Sequence, residues 1–231
     1  MDIHKPKAAH SLREFLIEIG TIICGILIAL GLEQVIEAVH RQEVIREARR
    51  ALNAEVGFDL VSLDYTASQS SCINQKLDEL GRWRASFEGR TPLGLSSTVL
   101  FAPVRVFRTS VWRVASVASI AQMPFEDRVR YGEVYDRLQV IQEQRNRVQD
   151  YWSDLVKFSL AKRLDESQRL QVDFELLMLR RLYVGMERNA GFVRRSAHEL
   201  GARPEEADLS ARAMLDSQVK AFCRPLLAGK A

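Results

Sequence analysis

The most apolar stretch of the chain lies near its N-terminus. Residues 19–32 contain no charged side chain, and Glu18 directly precedes them. A helix needs about 20 mostly apolar residues to cross a hydrocarbon core of about 30 Å. Residues 15–36 meet that length if Glu18 and Glu33 lie about one turn in from the two ends. The pattern predicts a transmembrane helix over residues 15–36, preceded by a short tail at residues 1–14.

Apolar residues continue at helical spacing after this segment, and no helix breaker separates the two parts. The spacing predicts one helix from about Ser11 to near Tyr65 and a second helix that ends at Gly89. The apolar positions are Val35, Val39, Ile45, Ala48, Leu52, Val56, Leu60 and Leu63 in the first helix, and Ile73, Leu77, Leu80, Trp83 and Phe87 in the second.

The helical pattern is lost between residues 90 and 108, where proline, glycine and serine are frequent. We expect an irregular connection there, with a short extended piece at residues 104–107. A short helix is predicted from Ser110 to Ala121, and it ends before Pro124.

The most regular spacing lies in two long helices that follow. The first begins with Pro124 in its opening turn. The second begins at Asp165, whose pairing with Gln168 is typical of a capping box, and it ends at Gly201 and Pro204. The apolar positions are Val134, Leu138, Ile141, Val148, Trp152 and Leu155 in the first, and Val172, Leu176, Leu179, Tyr183, Met186, Ala190, Val193, Ala197 and Leu200 in the second. A closing helix carries Leu209, Ala213, Leu215, Val219 and Phe222.

Together these elements predict an all-α protein. The transmembrane helix continues into an elongated antiparallel bundle of about four or five helices over residues 37–231, with the irregular connection at about 90–108. Glycine and proline are scarce outside residues 89–103, which suits long helices. The roughly 190 residues after the anchor are enough for one domain with a sizeable core.

Charge and metal-ligand content narrow the function classes. The chain has 33 basic and 30 acidic residues and a net charge of +3, so no large basic face indicates nucleic acid. The cysteines show no CxxC spacing, and the histidines at positions 4, 10, 40 and 198 are scattered. We therefore expect no nucleic-acid partner, no metal site and no cofactor.

One face of the predicted span carries small residues beside a carboxylate. Its members are Glu18, Thr21, Gly25 and Ala29, which lie within an arc of about 80°. Small residues at intervals of four let transmembrane backbones approach closely, and an ionisable group in a membrane generally faces protein. This face predicts a contact with a second copy or with a partner membrane protein. The alternative is that Glu18 reaches the headgroups beside Arg13 and that the small residues are ordinary span composition.

The flanks of the span favour one orientation. Three Lys or Arg residues precede it, and four follow it at a distance (Arg41, Arg46, Arg49 and Arg50), but residues 33–40 at its C-terminal end contain none. We therefore expect a single-pass cell-membrane protein with a cytoplasmic N-terminus and a non-cytoplasmic domain. The basic start and the small residues Ala29 and Gly31 also resemble a cleavable signal peptide. Glu18 and the lack of a turn former after Gly31 argue against cleavage.

Cys72 and Cys223 lie near the start of one predicted helix and the end of another. In an oxidising compartment these positions permit a disulfide, and two buried thiols are the alternative.

Three groups of side chains invite a chemical interpretation, but each also has a structural one. Glu126 and Asp127 occupy a first helical turn, where carboxylates meet the helix dipole favourably. An aromatic set at helical spacing either lines a ligand cavity or fills the core. A basic set either binds an anion or forms solvated helix surface. We favour the structural interpretation throughout and expect no catalytic residue. The aromatic set is Trp112, Tyr151, Trp152 and Tyr183, and the basic set is Arg180, Arg181, Arg194 and Arg195.

The anchor resembles that of an uncharacterised bacterial family of single-span membrane proteins with a helical domain. The matching residues are Glu18-Ile19-Gly20, then Gly25-Ile26-Leu27-Ile28-Ala29-Leu30, Arg41 and Glu43, with a looser similarity at 112–118 and at Tyr131 and Tyr135. The resemblance implies a membrane anchor and a helical domain, and it implies no activity.

The function that the sequence favours is a membrane-anchored helical scaffold or accessory subunit that acts through protein contacts and is not an enzyme. Its expected partners are the lipid bilayer and a second transmembrane helix. A single-span ligand-binding sensor is one alternative, and a membrane-bound enzyme is another.

We predict that the chain from Met1 to Ala231 fractionates with membranes and is not cleaved, because the apolar run is followed by a poor cleavage site. Mass spectrometry of the purified chain measures this directly. A new N-terminus near Leu32 would contradict it.

Overall fold

The computed structural model describes residues 12–89, 92–95, 97, 99, 101–115, 120–204 and 209–227, with the backbone alone at 115 and 209–215. Within these residues the protein is all-α, as the spacing predicts. The helices are α1 (Leu12–Ser68), α2 (Ser70–Ala85), α3 (Ser110–Ala115), α4 (Phe125–Ser159), α5 (Glu166–Glu199) and α6 (Leu209–Phe222). Short 3-10 helices lie at Ser86–Glu88 and Ile120–Gln122.

The helices follow the predicted order, and α1 carries the apolar run and continues well past it. The connection is irregular as predicted, and its residues 104–107 form neither helix nor strand. Three of its backbone groups bond to the side chains of Gln69, Arg145 and Asp59 instead of to a neighbouring strand. The described part of the helix predicted from Ser110 is α3, residues 116–119 lie outside the described residues, and a 3-10 turn follows at Ile120–Gln122. An isolated bridge pairs Leu95 with Leu227.

The chain divides into two compact units, residues 1–48 and 49–231. The described part of the first unit, residues 12–48, belongs entirely to α1. It contains a stretch of 18 residues that is long and apolar enough to cross a membrane, and none of that stretch is buried. Helix α1 is therefore a candidate membrane span. Its exposed apolar side chains include Phe15, Leu16, Ile17, Ile22, Ile23, Ile26, Leu27, Ile28, Leu30 and Leu32.

The core of the second unit is built on the packing of α4 against α5, and α2 also packs on α5. The predicted apolar positions of α4 are all buried. Those of α5 are buried except Tyr183 and Leu200, which are half-buried. Steps of three and four residues place these side chains on one face of each helix, so the two faces interdigitate along their length.

The ends of α5 follow from local sequence. Asp165 accepts a hydrogen bond from the Gln168 backbone N–H, and the Gln168 side chain accepts one from the Asp165 N–H, which confirms the capping box. At the other end Gly201 has φ of 77°, a conformation that glycine adopts without a Cβ clash. The Ala202 N–H then donates to the Ala197 carbonyl over 2.9 Å and closes the helix.

Candidate functional site

The four residues of the predicted span face all lie exposed on α1 in the single chain. The Thr21 hydroxyl donates to the Ile17 carbonyl of the preceding turn over 2.8 Å, so its polar group is satisfied within the helix. A Cβ added at Gly25 would meet no atom within 4 Å. This face is therefore open to a neighbouring helix, and association through it stays a prediction.

Cys72 and Cys223 are joined by a disulfide, with their Cα atoms 5.1 Å apart. Two more residues on the same face of α2 bind the segment after α6. The Lys76 ammonium donates to the Arg224 carbonyl over 2.7 Å, and the Glu79 carboxylate accepts from the Leu226 N–H. Burial lowers the pKa of Lys76, and Glu79 partly offsets that effect. One helix face thus fixes the end of α6 covalently and electrostatically.

Three of the six acidic and basic residues singled out in the sequence form ion pairs at the surface. Asp127 pairs with Arg49, whereas Glu126 is exposed. Arg180 pairs with Asp78, and Arg194 with Asp64 and Glu187. Arg181 and Arg195 are exposed. Among the described residues, no group of three metal-binding side chains comes together.

Two buried carboxylates on α1, which the sequence pattern did not single out, bind the chain around α3. Glu55 accepts hydrogen bonds from the backbone N–H groups of Val111 (2.8 Å) and Trp112 (3.1 Å) and from the Tyr135 hydroxyl (2.9 Å). The N–H groups at the start of a helix have no partner within it, so Glu55 caps α3 from a neighbouring helix. The Trp112 ring stacks on Tyr135 with centroids 4.8 Å apart.

Asp59 lies one turn after Glu55 and is fully buried. One of its oxygens accepts from the Arg108 N–H over 2.8 Å, and the other has no hydrogen-bond partner. Burial raises the pKa of Asp59 from 3.8 to about 7, against the opposing effect of the Arg108 N–H, and Glu55 raises it further. Burial likewise raises the pKa of Tyr135, so that phenol stays neutral. This cluster therefore contains a carboxyl group that changes charge near neutral pH.

Two adjoining cavities of about 630 and 470 Å³, each partly open to solvent, lie within the second unit. The larger cavity is bounded by α1, α2, α4 and α5. The smaller cavity is bounded by the same four helices and also by residues 101–104 and α6. Both are lined by Thr66, Ile73, Arg145, Tyr183 and Met186. Of the aromatic set, Trp152 and Tyr183 line a cavity and are joined by an indole-to-hydroxyl hydrogen bond of 3.0 Å. Tyr151 instead contacts Phe174, and Trp112 lies on Tyr135.

Arg145 on α4 is the only cation among the residues that line both cavities, and it is 5% exposed. Its guanidinium donates to the Arg105 carbonyl over 2.9 Å and to the Thr66 hydroxyl over 2.8 Å, and Nε has no partner. The guanidinium also lies 4.0 Å from the Phe107 ring centroid. Burial lowers the pKa of Arg145 to about 10, which leaves it charged at neutral pH.

The sequence indicates that Arg145 occupies a core position, although a list of apolar positions alone does not include it. The apolar row of α4 steps by seven residues from Ile141 to Val148, and Arg145 fills that gap on the same face. Glu55 and Asp59 similarly lie among the core residues of α1. A charged residue at a core position of a helix indicates a buried partner elsewhere, but the spacing does not identify that partner.

No family model, curated protein or solved structure matches this chain. The resemblance to a bacterial single-span family therefore stays a prediction from the residues, and the function is argued from the geometry described above.

We predict that Asp59→Asn stabilises the protein increasingly as the pH rises. The pKa of Asp59 is higher in the folded state, so the carboxyl favours folding when protonated and loses that contribution between pH 3.8 and about 7. Asparagine stays neutral, and its carbonyl still accepts from Arg108. Urea unfolding of the full chain in neutral detergent, followed by circular dichroism, gives the free energy of unfolding at each pH.

The matched control for this prediction is Asp136→Asn, an exposed position on α4. Its difference from the wild type should stay nearly constant over the same interval. A constant difference for Asp59→Asn as well would contradict the assigned ionisation.

Proposed function

We propose that this protein is a membrane-anchored helical scaffold or accessory subunit that acts through protein contacts. The observation that carries the proposal is the apolar stretch of α1, none of which is buried within the chain. So large an apolar surface is unfavourable in water and is satisfied by lipid or by other transmembrane helices. No group of catalytic side chains was predicted, and the buried carboxylates Glu55 and Asp59 bind backbone groups of the protein itself.

The partner that we propose for the span is a second copy or another membrane protein. The face formed by Glu18, Thr21, Gly25 and Ala29 supports this, because the space beside Gly25 is open. A neighbouring backbone can approach a glycine more closely than any other residue. Glu18 adds a polar group that a partner helix would satisfy.

We further propose that the bundle lies on the non-cytoplasmic side of the membrane. The disulfide between Cys72 and Cys223 supports this orientation, because the cytosol keeps most thiols reduced. The absence of Lys and Arg from residues 33–40 favours the same orientation. The two arguments are independent, since one concerns redox chemistry and the other concerns membrane insertion.

Topology is tested by labelling intact cells with a membrane-impermeant thiol reagent. The variant carries Cys24→Ser together with Asp136→Cys, an exposed position on α4. We expect labelling before lysis, because the engineered thiol faces outward while the disulfide protects the native cysteines. The control variant carries Cys24→Ser and Ala8→Cys and keeps Asp136, and its thiol should react only after lysis. The reverse pattern would contradict the orientation.

Association through the span is tested by paired substitutions in a transmembrane association assay. Gly25→Leu should abolish most of the association because it separates the two backbones, whereas Ile26→Leu, about 100° around the helix, should be tolerated. Glu18→Gln should have a smaller effect than Gly25→Leu, since an amide still bonds across the interface and such bonds contribute only about 0.6 to 2 kcal/mol.

A monomeric parent segment, or equal effects of Gly25→Leu and Ile26→Leu, would contradict a contact through this face. Any oligomer would then have to form through the soluble helices. An exposed apolar row on α5 would be the next surface to substitute. Its members are Leu170, Phe174, Leu177 and Val184.

A further inference from the structure

We propose that the cavities around Arg145 form a binding site for an amphipathic carboxylate, an anion with an apolar tail such as a fatty acid. The site lies within residues 49–231 and is independent of the contacts proposed for the span.

The anionic end of this ligand is inferred from the hydrogen bonding of Arg145. A guanidinium has five N–H donors, and two of them bind the Arg105 carbonyl and the Thr66 hydroxyl. The Nε donor is buried without a partner. The remaining donors suit a carboxylate, whose two oxygens accept parallel bonds from a guanidinium.

Arg145 also forms no ion pair among the described residues. No carboxylate among the described residues lies within ion-pair distance of it. The Asp59 carboxyl acts on Arg145 electrostatically and raises its pKa, but the two side chains form no ion pair, and one Asp59 oxygen is held by the Arg108 N–H. A buried cation without an ion-pair partner is costly, so a ligand carboxylate bound to Arg145 would stabilise it.

The apolar tail is inferred from the walls of the larger cavity. Its volume of about 630 Å³ is within the range of small-molecule sites. The apolar lining consists of Leu63, Ala67, Ile73, Ile141, Val184, Met186 and Ala190. Two further charges reach this cavity from α5, and both are already paired, Arg180 with Asp78 and Glu187 with Arg194. Arg145 is therefore the cation that is left to orient a ligand.

The test uses the full chain in nanodiscs of phosphatidylcholine and radiolabelled dodecanoate as the probe, with binding to empty nanodiscs subtracted. We expect saturable binding of one dodecanoate per chain. Dodecan-1-ol has the same tail and no charge, so it should compete at least about tenfold more weakly. Binding that does not saturate, or equal competition by the alcohol, would overturn the proposal.

Substitutions locate the site. Ala67→Phe fills the larger cavity and should weaken dodecanoate binding by about tenfold or more, whereas Ala54→Phe, exposed on the same helix, should leave it unchanged. Arg145→Met should abolish the preference for dodecanoate over dodecan-1-ol. Because Arg145 also holds residues 66 and 105, circular dichroism must first show that this variant is folded. If that variant is unfolded, the test rests on Ala67→Phe. Equal dodecanoate binding by Ala67→Phe and Ala54→Phe would overturn the proposal.

Discussion

The structure of the second unit depends on satisfying the backbone of the irregular connection between α2 and α4. Residues 101–109 form neither helix nor strand, so their N–H and C=O groups need partners from elsewhere. Gln69 donates to the Pro103 carbonyl, and Asp59 accepts from the Arg108 N–H. Arg145 donates to the carbonyl of residue 105. Side chains from α1, from α4 and from the junction of α1 and α2 thus bind three backbone groups of a segment that has no regular hydrogen bonds.

This arrangement requires charged groups in places where charge is unfavourable. Asp59 and Arg145 are both buried. Burial raises the pKa of Asp59 and lowers that of Arg145, and each shift favours the neutral form of the side chain. The shift brings the pKa of Asp59 to about 7. Arg145 stays charged at neutral pH, because the pKa of a guanidinium is much higher to begin with. The same side chain that holds the connection is therefore a cation facing an apolar cavity. The structural role of Arg145 and the binding role that we propose for it are compatible, because hydrogen bonds to the protein use only part of its donors.

Helical periodicity has different consequences in the two units. In residues 49–231 the apolar faces of α4 and α5 meet, and their side chains leave water by packing on each other. In residues 19–32 apolar side chains surround the helix on all sides and are exposed within the chain. A helix that is apolar all round needs a surrounding apolar phase, whereas a helix with one apolar face needs only a neighbour. This difference in patterning separates a candidate membrane span from a bundle core.

The sequence by itself determined the helical class, the order of the helices, the ends of α5 and the apolar run of α1. These features depend on residues that are close together in the chain, so the rules of helical spacing and capping predict them. Only the tertiary structure decided that Glu55 and Asp59 bind the connection, that Cys223 lies beside Cys72, and that Arg145 faces a cavity shared by four helices. The Cys72 and Cys223 positions are 151 residues apart, and no local pattern fixes a distance across such a separation. A buried charge is visible in the sequence as a break in an apolar row, but its partners are set by how the helices pack.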